Sequence, residues 1–290
     1  MIIKCPFCES EKTHLYLKLK DYFLTQEDFQ IQECENCNLL FTMPRPDSSE
    51  IGKYYKSDDY LSHNEHKKGL VPWLYKRVKR VNIRNKYEMA CKGLTNPKLL
   101  DFGCGIGDFL LYAKRKGCDI TGCDLSEDAR SLASEKLGKT IVSPEEIFAL
   151  PDSTFDIITM WHVLEHVPDL KYHAQQLHRL LKPGGRLVVA VPNFHSFDAH
   201  FYKDHWAAYD VPRHLYHFHK ESLQNVFDGK FSLETIHPLV WDSLYISMES
   251  EKYSGNNNSF IQGIIIGKKS NILALKSKEY SSLVYVFRKI

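Results

Sequence analysis

Several things are scarce in this chain of 290 residues. No apolar run approaches the roughly 20 residues of a membrane span; the longest candidate, Ile261–Ile266, is broken by Gln262 and Gly263. Net charge is scarce too. Lysine and arginine number 38 against 36 acidic residues, a balance of +2, which removes any global argument for nucleic acid or a membrane surface. Compositional bias is missing: 43% hydrophobic and 26% charged residues exclude a disordered or fibrous chain. No apolar h-region follows Met1, where Cys5-Pro6-Phe7-Cys8 stands instead, so the cytoplasm is the expected compartment.

What is present begins with cysteine. Four of the eight come as pairs, Cys5/Cys8 and Cys34/Cys37. Each Cys-x-x-Cys puts two thiolates on one tight turn, and two such turns complete a tetrahedral site suited to Zn²⁺. Thr13–Leu19 and Phe29–Gln32 alternate apolar and polar residues as short strands. Residues 1–43 therefore read as a zinc ribbon. Its metal is structural, because four thiolates leave no open coordination position. Paired disulfides are the alternative, disfavoured in a reducing compartment. Acidic residues offset the few lysines of the ribbon, so nucleic acid is an unlikely partner.

Residues 44–96 read as a linker and a basic helix. Met43-Pro44-Arg45-Pro46-Asp47 breaks regular structure. Tyr54, Tyr55 and Tyr60 then mark a stretch that either covers a ligand pocket or packs on the main domain. Pro72–Cys91 has an apolar stripe at helical spacing, with Lys76, Arg77, Lys79, Arg80, Arg84 and Lys86 around it.

From residue 97 to 290, strands alternate with helices, which implies a parallel, doubly wound sheet. Ligands on such sheets bind beyond the carboxyl ends of the strands. The strand Lys98–Phe102 leads into Asp101-Phe102-Gly103-Cys104-Gly105-Ile106-Gly107. Three glycines at alternating positions allow a sharp turn and close backbone approach to a ligand, and the next helix N-terminus offers free amides. The third glycine falls too early for the dinucleotide fingerprint. Asp124 ends the second strand, Asp119–Cys123, where a carboxylate can accept both ribose hydroxyls.

With these acids in place, the chain resembles the class I S-adenosylmethionine-dependent methyltransferases from about Pro97 onward. The resemblance implies a Rossmann-like α/β fold, a doubly wound seven-stranded sheet. It implies that Asp101, Phe102, Gly103, Cys104, Gly105 and Gly107 cradle the methionine part of S-adenosylmethionine. Asp124 matches the ribose-binding acid and Leu125 the apolar residue beside adenine. Phe155–Ile158 and the following His162-Val163-Leu164-Glu165-His166 match the fourth-strand motif, with Trp161 at the cleft. Leu181-Lys182-Pro183-Gly184-Gly185 matches the turn before the fifth strand. Glu146, with Glu145 and Ile147, is the candidate for the adenine edge.

Methyl transfer needs an aligned nucleophile and, for a protonated acceptor, a base. Candidate catalytic groups are His162, Glu165 and His166 after the fourth strand, and His214 in the loop after the fifth. That loop, residues 193–219, holds six histidines, but no compact ligand spacing among them suggests a second metal. Arg213 either serves the site or pairs with a structural acid. Phe231–Ile236 and Leu283–Phe287 read as a final pair with the last strand antiparallel. The insertion 241–280 carries an apolar segment, Phe260–Leu275, expected as an amphipathic helix packed on the domain or on a second subunit of a homodimer. The expected function is methyl transfer to a small-molecule acceptor such as a sugar or related metabolite. The alternatives are a zinc-ribbon RNA methyltransferase and an inactive cofactor-binding module.

Overall fold

The computed structural model describes residues 3–47, 50–55 and 70–290, with side chains from residue 77 onward in the first helix. Residues 56–60 of the tyrosine-rich stretch, and the side chain of Lys76, lie outside the described residues.

Two sheets organise the chain. The first begins with β1 (Thr13–Lys20), β2 (Asp28–Cys34) and β3 (Leu40–Met43), all antiparallel neighbours. Leu19, Phe29, Ile31 and Leu40 point into a shared core. The second is built on β4 (Lys98–Phe102), β5 (Asp119–Cys123), β6 (Phe155–Trp161) and β7 (Leu181–Pro192), paired in parallel in the order β5-β4-β6-β7. Leu99, Leu100, Ile157, Ile158, Val188 and Val189 are wholly buried. A near-continuous apolar run is what a strand covered by helices on both faces requires.

The helices start and stop where the sequence provides caps. Following α1 (Leu70–Cys91) and α2 (Asp108–Arg115), α3 (Glu127–Leu137) opens on Ser126, whose side chain accepts from Ala129 N, and ends at Gly138 in the left-handed region. After α4 (Pro144–Phe148), α5 (Leu170–Leu180) opens on Asp169, which accepts from Tyr172 N. Each such cap is worth about 1 kcal/mol.

Between β7 and the end of the chain come α6 (Phe197–Tyr202), the two-residue β8 (Tyr216–His217), α7 (Lys220–Phe227) and β9 (Phe231–Pro238). Then follow α8 (Asp242–Tyr253), α9 (Ser259–Ser277) and β10 (Ser282–Lys289). β10 runs antiparallel between β7 and β9, which completes six strands. The seventh position of the expected sheet is held by Val142, in a single parallel bridge to Cys123. Ser143 caps α4 immediately afterwards, with Glu146 closing a capping box, so no residues remain to extend that strand.

Two features were not anticipated from sequence. β8 pairs with β3, so the N-terminal sheet has four strands and crosses the boundary at residue 43. The insertion is a hairpin of two helices, α8 against α9. A side chain at Gly263 or Gly267 would stand within about 3 Å of α8 backbone, and Ser243, Ser247, Ser250 and Ser270 are fully buried. Small residues let the two helix backbones approach closely. Among the described residues, no helix is long and apolar enough to cross a membrane.

Candidate functional site

The loop after β4 is held against β5 by its own backbone. Gly103 N and Cys104 N both donate to Cys123 O, at 2.8 and 2.9 Å. Gly103 sits at φ 76° and a Cβ there would collide with Val163, so both conformation and space demand glycine. Gly105 N donates to Asp124 Oδ2 at 2.8 Å, and Ser126 N to Oδ1 at 2.9 Å. The carboxylate of Asp124 therefore faces the glycine bend, and each oxygen keeps a free lone pair. Leu125 beside it is 78% exposed, an apolar surface suited to cover a ring. Phe102 and Cys104 turn inward: Phe102 stacks on Phe148 at 5.6 Å, and Cys104 is buried. Only their backbone can serve a ligand. Glu146, the residue expected at the adenine edge, closes the capping box, with Ser143 N donating to Oε2 at 2.8 Å.

Below the loop lies a buried polar floor. Asp101 is 2% exposed and accepts from Thr159 Oγ1 at 2.6 Å. Burial pushes its carboxyl up to about 7, against the hydrogen bond from Thr159 and the charge of Lys86. Lys86 Nζ stands 4.7 Å over the ring of Trp161. Trp161 Nε1 is buried and donates to no acceptor among the described residues, a donor that a ligand in the cleft could satisfy. His162, at φ 58°, puts Nε2 3.0 Å from Asp242 Oδ2 and Nδ1 3.4 Å from Glu165 Oε1. Burial disfavours its charge, but these two carboxylates win and raise it to about 9.

Glu165, His166 and His214 form the far end. Glu165 is wholly buried. Burial opposes its charge, but His162 and the nearby His214 and His166 hold its carboxyl below the usual range. His166 Nδ1 lies 3.0 Å from Arg213 O and 3.2 Å from Tyr55 Oη. Burial and His214 push His166 down to about 4, so it is neutral at physiological pH. The rings of His166 and His214 meet edge to face at 4.6 Å.

The N-terminal sheet holds this end in place. Thr42 Oγ1 donates to His214 O at 2.6 Å, and Thr42 N donates to Leu215 O. Arg213, 2% exposed, donates to Asp21 and Asp210 at 2.7 Å each and to Tyr54 O at 3.1 Å. Asp21 also accepts from Phe23 N, Leu24 N and Thr25 N. Arg213 is thus a structural clamp between the turn after β1 and the 208–214 loop. The tyrosines divide: Tyr54 is buried and donates to Glu27 at 2.6 Å, while Tyr55 reaches His166.

The four paired cysteines converge. Cys5 Sγ is 3.7 Å from Cys37 Sγ, and Cys8 Sγ is 3.5 Å from Cys34 Sγ. All four sulfurs lie within 4.8 Å of one another. A sulfur–sulfur bond is far shorter, about 2.0 Å. A zinc–sulfur bond of about 2.3 Å gives a tetrahedron with edges of about 3.8 Å, close to the spacing here. Glu9 and Asn38, one residue past each knuckle, take positive φ, which reverses the chain behind each pair.

Two charged residues escaped the sequence reading. Asp242 was hidden because it comes from the insertion, although an acid at a helix start is a readable signal. Lys86 was visible only as one of several basic residues on α1. Lys79 from the same face pairs with Asp108 at 2.7 Å.

The chain is similar to several known proteins. Curated relatives include ubiquinone biosynthesis O-methyltransferases of Psychrobacter cryohalolentis, 34% identical over 42% of this chain and 51% of theirs, and of Pseudomonas aeruginosa, 32% identical over 35% and 47%. The chain spans about half the length of the curated relatives it matches. Among solved structures, geranyl diphosphate C-methyltransferase from Streptomyces coelicolor A3(2) superposes with a TM-score of 0.53 at 16% identity, covering 79% of this chain and 87% of that one. The [4+2]-cyclase SpnF superposes at 0.51 and 18%, covering 72% and 80%. At such identities the likeness is one of fold. The family model described as "Methyltransferase domain" matches residues 74–236; that is more than half of the sequence, and the chain belongs to the methyltransferase-domain family.

Proposed function

We propose that this protein transfers a methyl group from S-adenosylmethionine to an oxygen of a small-molecule acceptor. The observation that carries the reading is the Asp124 carboxylate bonded to Gly105 N at the mouth of the glycine bend. Asp124 would hold the ribose, the exposed Leu125 would lie beside the adenine, and the bend from Gly103 to Gly107 would take the methionine portion. The bound sulfonium supplies an electrophilic methyl carbon. In the transfer, an acceptor oxygen–carbon bond would form as the carbon–sulfur bond breaks with its electron pair left on sulfur, and the acceptor proton would pass to solvent.

The protein's own groups position the acceptor. His162, held charged near neutrality by Asp242 and Glu165, donates rather than accepts. Neutral His166 orients through Arg213 O and Tyr55. Glu165 is an ionised group that faces His162, with Oε1 3.4 Å from its Nδ1. Oxygen as the acceptor atom follows the names of the curated relatives, and a ring hydroxyl fits them at least as well as a sugar hydroxyl. We further propose that Cys5, Cys8, Cys34 and Cys37 hold one zinc ion, which fixes the ribbon and, through Thr42 and Arg213, the acceptor loop.

The test is an incubation of the zinc-loaded chain with labelled S-adenosylmethionine and a panel of phenolic and sugar hydroxyl compounds. Label should move to an oxygen of one class. A chain that binds the cofactor yet labels RNA instead would overturn the acceptor assignment.

A further inference from the structure

We propose that Glu165, His166 and His214 form a second metal site, holding one divalent transition-metal ion at the acceptor end of the cleft. One ligand atom from each residue lies within 4.8 Å of the other two. The donor set, two imidazoles and one carboxylate, is one that such ions favour, and three protein ligands leave coordination positions open.

The surroundings prepare the ligands. A backbone carbonyl can only accept, so His166 Nδ1–H donates to Arg213 O at 3.0 Å and His214 Nδ1–H donates to Ala208 O at 2.9 Å. Each ring is therefore the tautomer with its lone pair on Nε2. Metal-bound histidines are oriented by this same second hydrogen bond. Glu165 gives the independent sign. It is wholly buried, and neither carboxylate oxygen accepts a hydrogen bond from a described residue, although Oε1 stands 3.4 Å from His162 Nδ1. His162 engages Oε1 alone, and a buried carboxylate oxygen left without a partner, as Oε2 is among the described residues, is costly; an ion at Oε2 would remove that cost.

The positions are fixed from several sides. Leu215 N donates to Glu165 O at 2.7 Å, which ties the two ligand-bearing loops together. Thr42 secures the backbone of His214 from the ribbon. No ligand spacing was legible because His214 comes from a different loop. The purpose of the site rests on the methyl-transfer reading: an acceptor hydroxyl at an open position would release its proton to solvent more readily. The ligand set itself does not depend on that reading.

The experiment titrates the full chain, its cysteines already loaded with zinc, with Co²⁺ alone and follows the visible spectrum. One equivalent should bind with the weak bands of a nitrogen and oxygen site, and without the near-ultraviolet band of a cobalt thiolate. Glu165→Gln, His166→Gln and His214→Gln, each confirmed folded by circular dichroism, should weaken binding by about tenfold or more. Absence of binding at millimolar Co²⁺, a thiolate band alone, or equal affinity in the folded variants would overturn the site. Calorimetry with S-adenosylmethionine on the same sample reports on the methyl-transfer reading separately.

Discussion

The two ends of the cleft are built differently. The end proposed for the cofactor comes from one short stretch, Asp101 to Ser126, in which a strand, a bend and a second strand bring Gly105 and Asp124 together. The end proposed for the acceptor draws on Tyr55, Glu165 and His166, the 208–214 loop and, through His162, Asp242. It is also braced by the ribbon through Thr42 and Arg213. The first end is local geometry on a rigid sheet. The second is an assembly whose shape depends on how separate segments dock. Substrate choice on a shared fold can change at the second end while the first stays as it is.

Breaking the clamp should separate the ends most strongly. Arg213→Ala leaves Asp21 and part of Asp210 buried without their cation, and should cost about 3–5 kcal/mol in denaturant unfolding. The protein that remains folded should keep its affinity for S-adenosylmethionine but lose methyl transfer. Parallel loss of both would show that the ends are not independent.

Asp101 sharpens the comparison from the cofactor end. Its folded carboxyl sits near 7, above the ordinary 3.8. Between those values the folded state binds more protons than the unfolded one, so stability falls as pH rises. The penalty is complete above about pH 7 and absent below about pH 4. Asp101→Asn keeps an acceptor for Thr159 and should remove this slope. The variant should gain up to about 4 kcal/mol at pH 8 and almost nothing at pH 4, by the conversion of about 1.4 kcal/mol per unit. A melting temperature that tracks wild type from pH 4 to 8 would contradict the burial argument.

The smallest effect belongs to Thr42→Ala. Losing the bond to His214 O should cost about 1 kcal/mol. It should raise the acceptor KM while leaving the affinity for S-adenosylmethionine unchanged. An unchanged acceptor KM would mean that the ribbon does not position the loop.

Legibility in the sequence follows the same division. Glycine spacing, the acids ending β4 and β5, the helix caps and the paired cysteines are local, and the chain folds them where their spacing says. The Ser143–Glu146 box is local too: a serine three residues before a glutamate signals a cap. β8, the α8–α9 hairpin, Asp242 and the Arg213–Asp21 pair depend on contacts between distant segments. Pattern reading has no access to those. Arg213 could be weighed as a structural partner, but Asp21 could not be named as its acid.

The account stands most directly on Asp124. Calorimetry of the zinc-loaded chain with S-adenosylmethionine should give saturable one-to-one binding. Asp124→Asn should weaken it by about 1.5–3 kcal/mol, the worth of a hydrogen bond to a charged group. No heat from the folded wild type, or equal affinity in the variant, would contradict the placement of the cofactor at the glycine bend.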